Sequence, residues 1–306
     1  MDKKKLSVIT ISITPFDSAG RVDESAFRAH LRRLREGGVS AYIAGSGSGE
    51  GYTLAPEESD RLYAIAVEEL KGKVGVLADG VEPRTTREMV NFVRRVEKSG
   101  VDAVRIMALD IGHASKPTPA ELEKYHSTVI EATSAPLILT SHQAVGYLLP
   151  IDLIEKLATR YPHVVSVNYG GNDTTYLAEL IRRMSGRIDV HCAGSTNGLM
   201  TLTLGGNGFM GNEGNIAPAL AHSVITAFEA NDQEQLRVAL GKLMSLALIV
   251  KRFGGASLRG LKPLLNAFGL PGGTLREPRL PLEAAEIEKM VKAVKELNIP
   301  ELAGRA

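Results

Sequence analysis

Asp79, Asp110, His142 and Asn168 each stand at or just beyond the end of a short β-branched or apolar run. Each is a residue type with a chemical use. A carboxyl or an imidazole exchanges protons near neutral pH once its surroundings shift it there. An amide or a hydroxyl, as at Asn168, Thr140, Ser48 and Thr14, holds an oxygen on which charge develops. The run Val164-Val165-Ser166-Val167 ends on Asn168 and Tyr169 before Gly170 and Gly171. A carboxamide nitrogen is delocalised, so Asn168 can orient or polarise a substrate but cannot attack it. Gly47, Gly194 and Asn212 occupy the same kind of place and can offer backbone amides or a polar side chain.

These positions imply elements that bring them together. Candidate strands are Val8–Ile13, Val39–Ala44, Val74–Ala78, Val101–Met107, Pro136–Thr140, Val164–Asn168, Ile188–Cys192 and Gly208–Met210, eight in all, each followed by a helical pattern or a helix start. That alternation predicts an α/β fold, a (β/α)8 TIM barrel. Helix punctuation agrees. Asp23 is an N-cap, Phe27, Leu31 and Leu34 share a face, and Gly37 stops the helix. Met89, Phe92, Val93 and Val96 form one apolar stripe ending at Gly100. Thr118-Pro119-Ala120-Glu121 reads as a capping box with proline at the first helical position. Helices over about 217–230, 233–253, 257–268 and 282–297 follow the eighth strand as a C-terminal helical extension. The expected organisation is one structural unit, with strands and loops in 1–216 and the last barrel helix and extension in 217–306.

In such a barrel, function gathers where strands end. That ring holds Thr14, Ser46 to Glu50, Asp79, Asp110, His113, Thr140, Ser141, His142, Asn168, Gly194 to Asn197, Asn212, Glu213 and Asn215, a polar set suited to a small molecule. The glycine-rich stretch Gly45-Ser46-Gly47-Ser48-Gly49-Glu50-Gly51 fails the dinucleotide pattern, because Glu50 or Leu54 falls where glycine is required. It reads either as a carboxylate-binding loop or as a tight turn. Asp79, Asp110, His142 and His191 are metal-ligand types, but their spacing fits no local metal motif, and neither a metal nor a cofactor is expected. Arg105, inside the fourth strand, either faces outward or pairs with an acid.

Bulk properties exclude other classes. The 306 residues carry 36 Lys plus Arg against 35 Asp plus Glu, a net charge of +1, which gives no electrostatic case for nucleic acid or an anionic membrane. The single cysteine, Cys192, permits no intrachain disulfide and suits a reducing cytosol, so a cytoplasmic location is expected. No run approaches the ~18 apolar residues that a membrane span needs, and the apolar start is interrupted at Pro15, too soon for a secretory signal.

From about Leu6 to Leu282 the chain resembles the dihydrodipicolinate synthase/N-acetylneuraminate lyase family. The resemblance rests on Thr14-Pro15-Phe16, on Ser46-Gly47-Ser48-Gly49-Glu50 with Thr53-Leu54, and on Gly206-Asn207-Gly208 through Asn215-Ile216-Ala217-Pro218. It implies a barrel whose sixth strand ends in a lysine that forms an imine with pyruvate or a related 2-keto acid. Here Asn168 stands at that place. Thr140 stands for the family's relay tyrosine, Ser141-His142-Gln143-Ala144 for its carboxylate-binding arginine segment, and Asp110-Ile111 for its aromatic pair, while Ser48 keeps the loop hydroxyl. A homotetramer or homodimer is implied by the resemblance alone.

The expected function is a lyase on a small keto or hydroxy acid without a lysine imine. Asp79, Asp110 and His142 are the acid/base candidates, with Thr140 and Asn168 beside them. Thr14, Gly47, Ser48, Gly194 and Asn212 are the expected substrate-binding positions. Two alternatives stand: a non-catalytic barrel that binds a small carboxylate, and the ordinary pyruvate reaction using another lysine, Lys116 or Lys262.

Overall fold

The computed structural model describes residues 5–254 and 257–305. Eight parallel strands, β1 (Ser7–Ile11), β2 (Ser40–Ile43), β3 (Val76–Ala78), β4 (Ala103–Ile106), β5 (Leu137–His142), β6 (Val164–Gly170), β7 (Asp189–Ala193) and β8 (Gly208–Met210), close into a barrel in chain order. Between them run α1 (Glu24–Glu36), α2 (Pro56–Leu70), α3 (Thr86–Val96), α4 (Pro119–Ile130), α5 (Ile151–Arg160), α6 (Thr174–Met184) and α7 (Ser195–Thr203). After β8 come α8 (Pro218–Glu229), α9 (Gln233–Gly254), α10 (Ser257–Ala267) and α11 (Ala284–Lys295). No helix of the described residues is long and apolar enough to cross a membrane.

The helix starts follow their sequence signals. Asp23 Oδ1 accepts from the Ala26 amide at 2.9 Å, and α1 buries Phe27, Leu31 and Leu34. Thr118 and Glu121 exchange the reciprocal bonds of a capping box, so two amides that the helix itself cannot pair find acceptors. On α3, Met89, Val93 and Val96 are buried, whereas Phe92 is only partly so.

By their internal contacts the residues fall into two compact units. One is residues 77–210 with the N-terminal segment before β1; the other is residues 7–76 with everything after 210. The C-terminal helices thus belong to the unit that holds β1 and β2.

Two strands run longer than their apolar pattern suggests. β5 continues through Ser141 and His142, and β6 through Tyr169 and Gly170, because these residues pair with each other: Ser141 with Tyr169 and His142 with Gly170. Gly170 is required there, since a Cβ on it would lie 2.8 Å from the His142 Cβ. Val165 departs from the burial of its strand neighbours. The register slips between Leu137 and Ile138, so Val165 has no partner residue on β5 and is 39% exposed.

Candidate active site

The site begins with the direction of alternate side chains. Tyr169 stacks on Tyr176 of α6, with ring centroids 5.2 Å apart, and its hydroxyl is bound to Asp173. Tyr169 therefore faces the helix layer. Strand alternation turns Asn168 and Ser166 the other way, into the barrel. The β bulge sets this phase. Asn168 is registered with Thr140 on β5 and His191 on β7, and His191 with Gly208 on β8. Asn168, Thr140 and His191 thus form one buried inward layer.

Arg105 belongs to the layer two residues back along the strands, registered with Ile138. It is buried, and its guanidinium reaches toward the Asn168 layer: Nε donates to Thr140 Oγ1 at 2.9 Å and Nη1 to Asp79 Oδ2 at 3.3 Å. Asp79 Oδ1 accepts from the Gly80 amide at 3.0 Å. Burial raises the Asp79 carboxyl above the usual range, and the guanidinium beside it works the other way. Of the two orientations the sequence left open for Arg105, the structure shows the paired, interior one. Such a pair fixes a cation inside the barrel without leaving either charge uncompensated.

His142 closes β5. Its Nδ1 accepts from the Ala144 amide at 3.2 Å, and its Nε2 lies 3.6 Å from Glu82 Oε1. Burial, then the positive charge of Arg105, push the imidazole down to about 4, with Glu82 pulling the other way. The ring is neutral at neutral pH. Glu82 was not singled out from the sequence, although its place in the loop after β3, three residues past Asp79, is a signal of the kind that marked the other positions.

Two sequence-predicted residues of this unit stand elsewhere. Asp110 does not join Asp79 and His142: its carboxylate meets Arg84 Nη1 at 3.0 Å and accepts from the Gly112 amide at 2.9 Å, on the partly exposed loop after β4. Gly194, at φ +84°, opens α7, and its amide is committed to the Met210 carbonyl at 2.7 Å.

The other unit has its own set of strand-end residues. Thr14 Oγ1 donates to the Gly49 carbonyl at 2.8 Å, and Ser48 Oγ donates to Asn212 Oδ1 at 2.8 Å, so Thr14, Ser48 and Asn212 are buried or half-buried members of a local network. Gly47 has only the Ile11 side chain near the place of a Cβ. Glu50 is buried in an ion pair with Lys262 and is not a free carboxylate of the loop. The Glu213 carboxyl is buried against Gly211, where a Cβ would sit 2.3 Å from its Oε2, and that oxygen makes no hydrogen bond. Burial pushes Glu213 up to about 7. Its folded value lies above the unfolded one, so its contribution to stability is present at low pH and lost as pH rises from about 4.5 through 7. Glu213→Gln is therefore expected to stabilise the protein more at pH 8.5 than at pH 5. The difference should reach at most about 3 kcal/mol, measured by urea unfolding at both pH values. An equal effect at both would show that the carboxyl is not perturbed.

No lysine lies among these inward residues. Residues 77–210 contain four lysines, Lys98, Lys116, Lys124 and Lys156, all exposed. Among the described residues Lys262 is the buried one, held by Glu50 and by the Thr274 carbonyl at 2.7 Å. No group of three His, Cys, Asp or Glu side chains among the described residues is placed to hold a metal ion.

A closed parallel barrel with a polar inward layer at its strand ends defines a (β/α)8 barrel protein. The model of the dihydrodipicolinate synthetase family matches residues 4–297, and the chain belongs to that family. It is 26% identical over 293 residues to the 4-hydroxy-tetrahydrodipicolinate synthase of Bacillus subtilis, covering 95% of this chain and 99% of that one. Among solved structures it resembles a prophage protein of E. coli K12, of the dihydrodipicolinic acid synthase family and in complex with pyruvate. There the TM-score is 0.87 at 21% identity, over 96% of this chain and 99% of that one. It also resembles N-acetylneuraminate lyase from Fusobacterium nucleatum, with a TM-score of 0.84 at 20% identity, again over 96% and 99% of the two chains. These two likenesses are of fold.

Proposed function

We propose that this protein is a lyase acting on a small keto or hydroxy acid without a lysine Schiff base. The observation that carries the reading is Asn168. It faces the barrel interior at the end of β6, where the family resemblance places the imine-forming lysine, and the lysines of residues 77–210 are exposed. An amide there can donate to a carbonyl oxygen but cannot condense with it.

The neighbouring groups supply a non-covalent alternative. Arg105, steadied by Asp79 and Thr140, is a fixed cation suited to a carboxylate or to a developing enolate. Asn168 and Thr140 add polar contacts in the same layer. Removal of a proton beside a keto group, or cleavage of the adjacent carbon–carbon bond, places negative charge on the keto oxygen. Each well-placed donor to that oxygen is worth ~3 kcal/mol. Binding of pyruvate by the E. coli relative supports a 2-keto acid as the ligand class. A homodimer or homotetramer, on the resemblance alone, and a cytoplasmic location, on the single cysteine, complete the reading.

Incubation with pyruvate and borohydride, followed by intact-mass measurement, is the test. The expected result is an unmodified mass together with saturable binding of the keto acid by calorimetry. A pyruvyl adduct on the chain would overturn the proposal.

A further inference from the structure

We propose that the keto acid carries a second carboxylate at its far end, and that the first turn of α7, with the Ser195 hydroxyl, binds it. The inference rests on the reading of the site as a keto-acid lyase and names the substrate class. Every residue it uses lies within residues 77–210.

The route to α7 follows the strand ends. His191 faces the barrel interior in the Asn168 layer, so Ala193, two residues on, faces the same way at the mouth. Ala193 is exposed. Gly170 stands beside it on β6: a Cβ there would lie 3.7 Å from the Ala193 Cβ and 2.8 Å from the His142 Cβ. On the β6 and β7 side, the layer above Asn168 is therefore walled by a glycine and an alanine, which leave room that larger side chains would fill. Beyond Ala193 the chain turns at Gly194, where a Cβ would meet no atom within 4 Å. α7 starts at once, at Ser195.

The amides of Ser195, Thr196 and Asn197 open this helix and have no acceptor within it. No side chain caps them, and no acid stands in the first turn. Bare helix ends are common; Ser195 sets this one apart. It is 1% exposed, and its Oγ makes no hydrogen bond among the described residues. A buried hydroxyl without a partner is unfavourable, and buried polar groups are rarely left so. Ser195 shares the inner face of α7 with Gly198, where a Cβ would meet Phe209 of β8 at 2.8 Å. Helical side chains lean toward the N-terminus. The hydroxyl is thus aimed at the strand-end side of the open turn, next to the amides. Residues 194–200 include no Lys or Arg. Donors and a helix end without a fixed cation suit the single charge of a carboxylate better than a phosphate dianion.

The length follows from the strands. Two residues of strand cover ~7 Å. A six-carbon keto diacid spans that between its carboxylates, with one on Arg105 and the other at α7.

The experiment compares calorimetric binding of 2-oxoadipate with that of 2-oxohexanoate, which has the same chain and a methyl group in place of the far carboxylate. The wild-type protein is expected to prefer 2-oxoadipate at least about 30-fold. Ser195→Ala should cut that preference about fivefold. Thr196→Asp sets a carboxylate at the same amides and should cut it at least about tenfold. An acid in the first turn favours the helix, so Thr196→Asp should melt no lower than wild type, and a purely structural role for this turn predicts no change in preference. Equal affinity for the two acids in the wild type, or a preference that survives either substitution, overturns this inference and leaves the lyase reading standing. Absence of binding of both acids overturns the keto-acid reading itself, and this inference with it.

Discussion

Replacement of Lys262 by methionine is expected to cost about 3–5 kcal/mol of folding stability, the usual cost of removing one partner from a buried ion pair. Lys262, on α10, is 1% exposed, and its ammonium is bound to Glu50, itself 0% exposed, and to the Thr274 carbonyl at 2.7 Å. The ammonium also lies 4.3 Å from the centre of the Phe16 ring. Burial draws Lys262 down to about 8, with Glu50 holding the charge on it. Methionine would fill much of the space but leave the Glu50 carboxylate buried beside apolar atoms, with the Arg276 amide, at 3.0 Å, still donating to its Oε2. A fall in melting temperature of about 5–8 °C is expected. Adding Glu50→Gln to Lys262→Met removes the stranded charge and should recover part of the loss. A double variant as unstable as the sum of the two single ones would show that the pair is not coupled. The same contacts bear on the reading in which Lys262 forms the imine: a lysine engaged on two sides by buried acceptors is expected to leave no trapped adduct, and trapping with borohydride checks this directly.

Acidification below pH 6.5 should destabilise the protein well before its surface carboxylates titrate. His30 and His126 are buried. Burial pushes His30 down to about 3, with Arg33 adding to the effect, and pushes His126 down to about 4. His30 Nε2 meets Asn215 Oδ1 at 3.0 Å, and His126 Nδ1 meets the Leu122 carbonyl at 2.8 Å. The unfolded chain binds these protons near pH 6.5, whereas the folded chain takes them only near 3 and 4. Stability is therefore full above 6.5 and falls with pH through that window. Each histidine contributes ~2 kcal/mol of loss by pH 5. Glu213 opposes them between about 4.5 and 7, because it holds its proton better folded than unfolded. The two histidines together outweigh it. Urea unfolding of His126→Leu at pH 7 and pH 5 isolates one contribution: the variant should lose about 2 kcal/mol less than wild type between the two. Parallel losses in both proteins would sink the argument.

Much of the framework was legible from local pattern. The eight strands and the helices after them follow from β-branched runs, caps and apolar stripes, all of which act over a few residues. The extra length of β5 and β6 was not legible, because Ser141, His142, Tyr169 and Gly170 are strand only by virtue of pairing with one another. The exposure of Val165 escaped for the same reason: a register slip is a property of two strands, and one strand's sequence does not contain it.

What the sequence by itself determined is the chemical inventory: an amide at 168, no lysine at that strand end, and acids and a histidine at several others. Tertiary structure decided which of these act on each other. Arg105 finds Asp79 and Thr140 across 26 and 35 residues of chain, and Lys262 finds Glu50 across 212. Glu82, unremarkable in sequence, becomes the neighbour of His142 only once their loops stand side by side. The physical reason is that a charged or polar side chain has no meaning alone in a low-dielectric interior. Its protonation, direction and use depend on the partner that compensates it, and the barrel, not the local sequence, supplies that partner.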